Sequence, residues 1–175
     1  PSLFTLNFPG EKITRELQGV SVQEAEVRTK EKKTSQHGPV LITHWGISGP
    51  AVLRFSAFEA KQFHGMNYNT TILINWVFPL KQQEILDVLM KTRSERKNAV
   101  PSTHPPFHLP RRLWEFLCEK ADIGHSKTWA EVSNKEINRL SALLFASEYQ
   151  MKGKTTFKEE FVTCGGVDLK EIDFK

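Results

Sequence analysis

The sequence predicts an α+β fold in which a small β-barrel carries an inserted α-helical subdomain. Short apolar runs that alternate with polar residues surround one helical run in about the first eighty residues. The hydrophobic period becomes helical after Pro79, and strand character returns after Gly153. We therefore expect the barrel to comprise residues 1–78 and 154–175 and the helical subdomain to comprise residues 79–153.

The bulk composition excludes several classes of protein. A chain of 175 residues buries a sizeable core without disulfides or metals. The net charge is +4, but no basic stripe with interleaved aromatic residues is present, so no nucleic-acid partner is expected. The sequence has no signal-peptide pattern and no apolar run of about 18 residues, so we expect a soluble chain without membrane contact. Two cysteines, Cys118 and Cys164, form no C-x-x-C and favour a reducing compartment such as the cytoplasm.

Three strands are expected before residue 31. Leu3–Phe8 alternates in polarity and ends at a Pro-Gly turn signal. Ile13–Leu17 is predicted as a second short strand. The third strand begins near Val20. Its apolar residues lie on one face up to Val22 and on the opposite face from Ala25 onward, which is typical of a β-bulge in a curled sheet.

The next segments lead into and out of the turn that carries the main candidate site. A charged loop, Glu31–Ser35, precedes the apolar strand Pro39–Thr43. The turn Thr43–Pro50 follows, and it leads into a helix predicted over residues 51–63. Thr71–Val77 alternates again and is predicted as a strand.

The second half is expected to contain three helices and one closing strand. The first helix is amphipathic around Ile85, and the second follows the proline-rich connector Pro101–Pro110. The third begins at the capping box Ser133-Asn134-Lys135-Glu136. Strand character over Thr155–Thr163 predicts the return to the barrel.

The turn from Thr43 to Pro50 combines two glycines, a hydroxyl and a proline, which suits a sharp turn and a helix start. Ser48 or Gly49 is predicted to be the N-cap, with Pro50 in the first turn. The free N–H groups of this turn favour a negative group or an electron-rich oxygen beside His44 and Trp45. A plain strand–turn–helix joint, with glycine for geometry, is the alternative interpretation.

Other chemistries find less support. His44 and Ser48 suggest a serine hydrolase, but the G-x-S-x-G elbow and a supporting Asp are absent. The six histidines show no pair with ligand spacing, so no metal is expected. No G-x-G-x-x-G is present, so the chain lacks the phosphate-binding turn of a dinucleotide-binding domain.

Four segments together resemble the YhiN/BaiN-like flavoproteins, which are NAD(P)/FAD-dependent or aminoacetone-oxidase-like oxidoreductases. The segments occur in the family's order, through nearly the whole chain: Gly38–Pro50, Asn75-Trp76, Leu109–Trp114 and Phe161–Val167. The resemblance implies a β-barrel with a helical subdomain, inserted into a Rossmann-type FAD domain. Cys164 departs from the family, where many relatives have alanine, and the adjacent glycine pair is intact.

The resemblance also implies which residues approach FAD in the full protein. They come from two stretches: Thr43, His44, Trp45, Gly46, Ser48, Gly49, Thr163, Gly165 and Gly166. Both FAD-binding halves are missing, and the first residue is proline, so we interpret the chain as a piece of a longer protein. The chain alone is therefore expected to fold, to purify without flavin and to be inactive. The expected partners are the Rossmann domain of the same parent and an unknown small-molecule substrate. The alternatives are a stand-alone β-barrel binding module, with RNA as its ligand, and the serine hydrolase.

Overall fold

Antiparallel strands that curl into a nearly closed barrel form the centre of the molecule. The computed structural model describes residues 2–30, 34–154, 165 and 171–172. Across the sheet the strands follow the order β1-β4-β3-β2-β5-β6, and every neighbouring pair is antiparallel. The strands are β1 (Leu6–Asn7), β2 (Ser21–Thr29), β3 (Ser35–Ile42), β4 (Gly46–Ser48), β5 (Asn69–Asn75) and β6 (Ser147–Lys152).

A single backbone bridge brings the two edges of this sheet together. Leu6 in β1 pairs with Lys154, which follows β6, in antiparallel geometry. The bridge makes neighbours of the first and last strands of the sheet, so the sheet is almost closed. The α+β class and the β-barrel predicted from the sequence are therefore confirmed.

Helices pack on the ends and one side of the barrel. The bounds are α1 (Lys12–Glu16), α2 (Pro50–Phe58), α3 (Ala60–Gly65), α4 (Gln82–Glu95), α5 (Arg111–Lys120) and α6 (Asn134–Ala146). Short 3₁₀ turns occupy Pro101–Thr103 and Trp129–Glu131. Within the described part of the chain, each helix is too short or too polar for a membrane crossing.

The segment Ile13–Leu17 was predicted to be a strand, and this prediction is wrong. It lies in and just after α1: Ile13 in the helix and Leu17 at its C-cap are both buried, one helical turn apart. An i,i+4 ion pair of 3.4 Å between Lys12 and Glu16 supports the helix from outside. A run of five residues is too short for the hydrophobic period to separate a helix from a strand.

Several boundaries differ from their predictions. β1 is shorter than Leu3–Phe8 because Leu3 has a left-handed backbone, with φ of 59°, which a strand does not permit. The helix predicted over residues 51–63 divides into α2 and α3 at Glu59. The Glu59 side chain is buried there and accepts a 2.6 Å hydrogen bond from the Thr34 hydroxyl, a contact that only the folded chain provides.

Two strands were not predicted at all. β4 lies within the predicted turn, and β6 lies within the residues assigned to the helical subdomain. The strand predicted at Thr155–Thr163 lies outside the described residues. The division of the chain into a barrel and an inserted subdomain therefore remains a prediction.

Three predictions from short sequence motifs are confirmed: a β-bulge, a helix N-cap and a capping box. The predicted β-bulge is confirmed, because the register between β2 and β3 shifts between Val22 and Ala25. Gly49 is the N-cap of α2, as predicted, and Pro50 is its first residue. The capping box of α6 is also confirmed, with both reciprocal hydrogen bonds between Ser133 and Glu136 present.

The helical side and the barrel share one core. The rings of Phe8, after β1, and Tyr149, in β6, stack with centroids 5.3 Å apart. Trp76 lies edge-on to Tyr149 at 6.5 Å and is fully buried. On the surface, Lys12 of α1 forms a 2.7 Å ion pair with Glu119 of α5. Residues from the barrel and from the helices therefore contribute to the same buried cluster.

The capping box of α6 predicts a dependence of stability on pH. Burial raises the pKa of Glu136, but hydrogen bonds from Lys127 and Ser133 outweigh that effect and lower the pKa to about 2. Because the pKa is depressed on folding, this stabilisation is complete above about pH 4.5 and is lost as the pH falls toward 2. We expect Glu136→Gln to lower the free energy of unfolding by about 1 kcal/mol at pH 6 and by about half of that or less near pH 3.

Urea titrations at the two pH values measure this effect. Glu95→Gln is the matched control, because its exposed carboxylate in α4 lies 3.9 Å from Lys91 in a solvated pair. We expect that control to change the free energy of unfolding little at either pH. An equal loss for Glu136→Gln at pH 6 and pH 3 would contradict the assignment.

Candidate functional site

The hairpin turn between β3 and β4 presents two aromatic rings at the surface. Thr43 closes the turn: its N–H donates to the Gly46 carbonyl at 2.8 Å, and its hydroxyl accepts from the Gly46 N–H at 3.1 Å. His44 and Trp45 lie at the tip, both exposed, with their ring centroids 3.3 Å apart. Trp45 retains 37% of its accessible surface, which is unusual for so large an apolar side chain.

The backbone around the tip is fixed from below by β1. Phe8 donates its N–H to the carbonyl of Trp45 at 2.7 Å, and Asn7 pairs with Gly46 in the ladder. The tip therefore has one defined position although its side chains are exposed. We call this hairpin turn, residues 43–46, the aromatic tip.

The two glycines of the stretch are explained by contacts within the domain. A Cβ on Gly46 would lie 1.8 Å from the carbonyl oxygen of Leu6, and one on Gly49 would lie 2.7 Å from that of Pro39. Gly49 also has φ of 103°, a backbone conformation that favours glycine. The space beside these glycines is filled by the chain itself, so they provide no cradle for a ligand.

Ser48 and the start of α2 are less accessible than the aromatic tip. The Ser48 hydroxyl accepts a 3.3 Å hydrogen bond from the hydroxyl of Thr5. Ala51 and Val52, which follow Pro50 in the first turn of α2, are fully buried. The exposed residues of the predicted turn are therefore His44 and Trp45 at the tip and Pro50 at the helix start.

A surface pocket of about 350 Å³ opens beside the tip. The turn at Pro9-Gly10 and residues of α1 form one side, and the end of β6 forms another. Arg15 from α1 and Lys152 from β6 are the charged side chains of its lining, and both are exposed. We call this the tip pocket.

Sequence reasoning identified the tip but missed the pocket. Arg15 was placed in a predicted strand, and Lys152 was placed in the helical subdomain. Nothing in the sequence links two cations 137 positions apart (152 − 15). They meet because the barrel closes between β1 and the end of β6.

The second predicted stretch cannot be placed against the first. Thr163 and Gly166 lie outside the described residues, and Gly165 is described and exposed. That the two stretches meet at one flavin therefore stays a prediction.

The remaining reactive groups of the described chain lie elsewhere. Burial, and to a lesser extent Glu115, raises the pKa of the Cys118 thiol to about 12, so this buried cysteine is a poor nucleophile. Among the described residues, no three His, Cys, Asp or Glu side chains come close enough to hold a metal ion. A separate, largely apolar groove of about 390 Å³ lies between Trp76, Phe78 and Phe107.

This fold and this site define a barrel domain with an attached helical region, a module of larger flavoprotein-type proteins. Residues 1–162 match the family described as HI0933-like protein barrel and H2TH domain, and the chain belongs to this family. The resemblance to the YhiN/BaiN-like flavoproteins is thereby confirmed.

Two relatives carry the same name. The chain is 30% identical, over 175 residues, to a ribosomal RNA dihydrouridine synthase of Escherichia coli. The aligned region covers 97% of this chain and 39% of the relative. It is 27% identical, over 146 residues, to a ribosomal RNA dihydrouridine synthase of Haemophilus influenzae, covering 81% and 32%. The chain thus spans well under half the length of these relatives.

Proposed function

We propose that this chain is the substrate-side barrel domain of an FAD-dependent enzyme that reduces uridine in ribosomal RNA. The observation that carries the proposal is the similarity, over 97% of the chain, to a relative named for that activity. The parent polypeptide would supply a Rossmann-type FAD domain, and this chain would hold the substrate next to it.

The reaction class defines what the domain must do. Conversion of uridine to dihydrouridine saturates one carbon–carbon double bond, so one carbon receives a hydride and the other a proton. A bound flavin would supply the hydride. The protein must also bring a base that is normally stacked within folded RNA to the reacting group, which requires binding of an unstacked nucleotide.

Within the described part of the chain, the turn between β3 and α2 differs from the FAD-binding turn of a dinucleotide-binding domain. The FAD-binding turn needs glycines beside open space and a helix start that receives the pyrophosphate. Here Gly46 and Gly49 face backbone atoms of the domain itself, and Ala51 and Val52 in the first turn of α2 are buried. We therefore assign the binding of the FAD pyrophosphate to the Rossmann-type domain of the parent, and we assign the aromatic tip a contact with the substrate or with the ring edge of the flavin.

The RNA alternative now has more support than it has from the sequence alone. The expectation of no nucleic acid depended on the lack of a basic stripe along the chain. In the fold, cations from α1 and β6 meet beside an exposed tryptophan, a combination that appears only after folding. A small-molecule substrate remains the second candidate for the parent enzyme.

The serine hydrolase finds no support in the geometry. The hydroxyl of Ser48 is bonded to Thr5, and the ring of His44 contacts Trp45. Within the described part of the chain, no histidine nitrogen lies within hydrogen-bond distance of Ser48, as a nucleophile and base require.

We expect the parent polypeptide to restore dihydrouridine to ribosomal RNA in an Escherichia coli strain that lacks its own relative. With His44 and Trp45 both replaced by alanine in the parent, the dihydrouridine content should fall at least about tenfold, because the substrate-side contact is lost. Mass spectrometry of nucleosides from purified ribosomal RNA measures the product.

Phe58→Ala in the parent is the matched control, because Phe58 is an aromatic residue that is 74% exposed in α2. We expect that variant to restore wild-type levels. Each purified parent should carry the yellow colour of bound flavin, and the 175-residue chain alone should be colourless. A yellow parent that reduces a small molecule but leaves ribosomal RNA unchanged would contradict the RNA proposal in favour of the second candidate.

A further inference from the structure

The tip pocket has the charge of an anion-binding site. Its lining contains Arg15 and Lys152 and no carboxylate. The backbone of the Pro9-Gly10 turn and the half-buried side chain of Asn7 complete a polar wall. Among the described residues that line the pocket, an anion would meet two cations and no carboxylate.

These two cations differ from those cations of the described chain that are neutralised by a nearby glutamate. Lys12, Lys30 and Arg111 each form an ion pair with a nearby glutamate. Neither Arg15 nor Lys152 has a carboxylate oxygen within 4.0 Å among the residues that the structure describes. Folding thus brings to one pocket two cations that have no ion pair within the described part of the chain.

An aromatic surface stands next to these charges. Trp45 lines the tip pocket, is 37% exposed and is held in place through its backbone by Phe8. Proteins that bind single-stranded RNA combine cations for the phosphates with aromatic rings on which the bases stack. The tip pocket has both elements, with the ring at its edge.

We propose that the tip pocket binds a single-stranded segment of RNA that flanks the nucleotide to be reduced. Arg15 and Lys152 bind the phosphates, and Trp45 provides the face on which a neighbouring base stacks. This inference rests on the proposed function, and it assigns the substrate contact to particular residues. The shared chemistry is a phosphate group, which the pyrophosphate of a dinucleotide also offers, so the experiment must separate the two sources.

Binding of a fluorescently labelled, uridine-rich RNA of about 12 nucleotides to the 175-residue chain tests the proposal. We expect the double variant Arg15→Ala/Lys152→Ala to bind at least about tenfold more weakly. The plot of log K against the logarithm of the salt concentration should become less steep by about 1.4, since each phosphate contact to a single strand contributes about 0.7 to the steepness. Anisotropy at several salt concentrations gives both quantities.

Two further variants separate charge from stacking. Trp45→Ala should weaken binding about tenfold and leave the salt slope unchanged, because stacking releases no counterions. Lys135→Ala is the charge control, because Lys135 is an exposed cation at the other end of α6 from β6. We expect it to bind RNA as the wild type does. Circular dichroism spectra and thermal unfolding should show that every variant is folded.

The possible outcomes lead to distinct conclusions. If the double variant binds RNA like the wild type, or if the wild type does not bind, this inference is overturned. The restoration of dihydrouridine by the parent tests the proposed function separately. If FAD or NADPH displaces the RNA from the 175-residue chain, and the double variant no longer binds the dinucleotide, the pocket belongs to the cofactor and the inference is also overturned.

Discussion

Replacement of Gly46 by alanine is expected to destabilise the domain by about 3 kcal/mol, at the upper end of the range for overpacked sites. The new Cβ would lie 1.8 Å from the Leu6 oxygen, 2.8 Å from the Leu6 carbonyl carbon and 2.9 Å from the Asn7 Cα. All three are backbone atoms, so no side-chain rotation relieves the overlap. The strands β1 and β4 must move apart, and the two backbone pairings between them are weakened.

Gly65→Ala is the matched control for this change. A Cβ at that position meets no heavy atom within 4 Å, and the residue belongs to helix α3. We expect its free energy of unfolding to equal or slightly exceed that of the wild type, because alanine favours the helix. Urea unfolding measures both variants. A Gly46→Ala protein within about 0.5 kcal/mol of the wild type would show that β1 does not pack on β4 as described.

Trp114→Ala should lower the free energy of unfolding by about 3–5 kcal/mol, the range for large aromatic residues removed from a core. The ring is fully buried in α5 and lies 6.2 Å from the ring of Phe107 in the proline-rich connector. Its Nε1–H donates a 2.7 Å hydrogen bond to the carbonyl of Pro101. The residue thus holds the connector against α5 both by packing and by a polar contact.

Trp114→Phe separates these two contributions. It retains much of the ring but leaves the Pro101 carbonyl without its donor, and we expect a loss of about 1–3 kcal/mol. Trp45→Ala is the surface control, with a small expected effect because its ring is partly exposed. Urea unfolding of the three variants gives the order. Equal losses for Trp114→Ala and Trp45→Ala would contradict the described core.

The parts of the fold that the sequence predicted correctly are those fixed by neighbouring residues. The bulge between Val22 and Ala25 changes the side on which apolar residues lie, and the capping box from Ser133 to Glu136 is complete within four residues. The N-cap at Gly49 depends only on the glycine and the proline that follows. Such signals need no knowledge of the tertiary structure.

The parts that were missed depend on distant partners. β4 is three residues long and becomes a strand because β1 and β3 pair with it on its two sides. β6 alternates buried and exposed residues, but it directly follows the last residue of α6 and was read as a continuation of the helical region. Short segments of this kind become strands because they pair with neighbouring strands of the sheet.

The same distinction applies to the candidate site. The aromatic tip was visible in the sequence because glycine, proline and two aromatic residues stand together in one turn. Gly46 and Gly49 were predicted to be among the residues that approach FAD in the full protein, and this stays a prediction. In the domain itself, a Cβ at either position would meet backbone atoms of β1 or β3. Arg15 and Lys152 gave no signal, because a charge pair created by barrel closure has no fixed spacing along a chain.

The bridge between Leu6 and Lys154 has a consequence for how such a module can be accommodated in a longer polypeptide. Because these residues are neighbours, a host chain that joins the module near them would enter and leave it at nearly the same point. To that host, the whole barrel with its helices is equivalent to a short surface loop, since the distance between its two connections is small. The entropy that the host loses in closing the insertion is then that of a short loop and does not grow with the length of the folded module, so the host can keep its own fold.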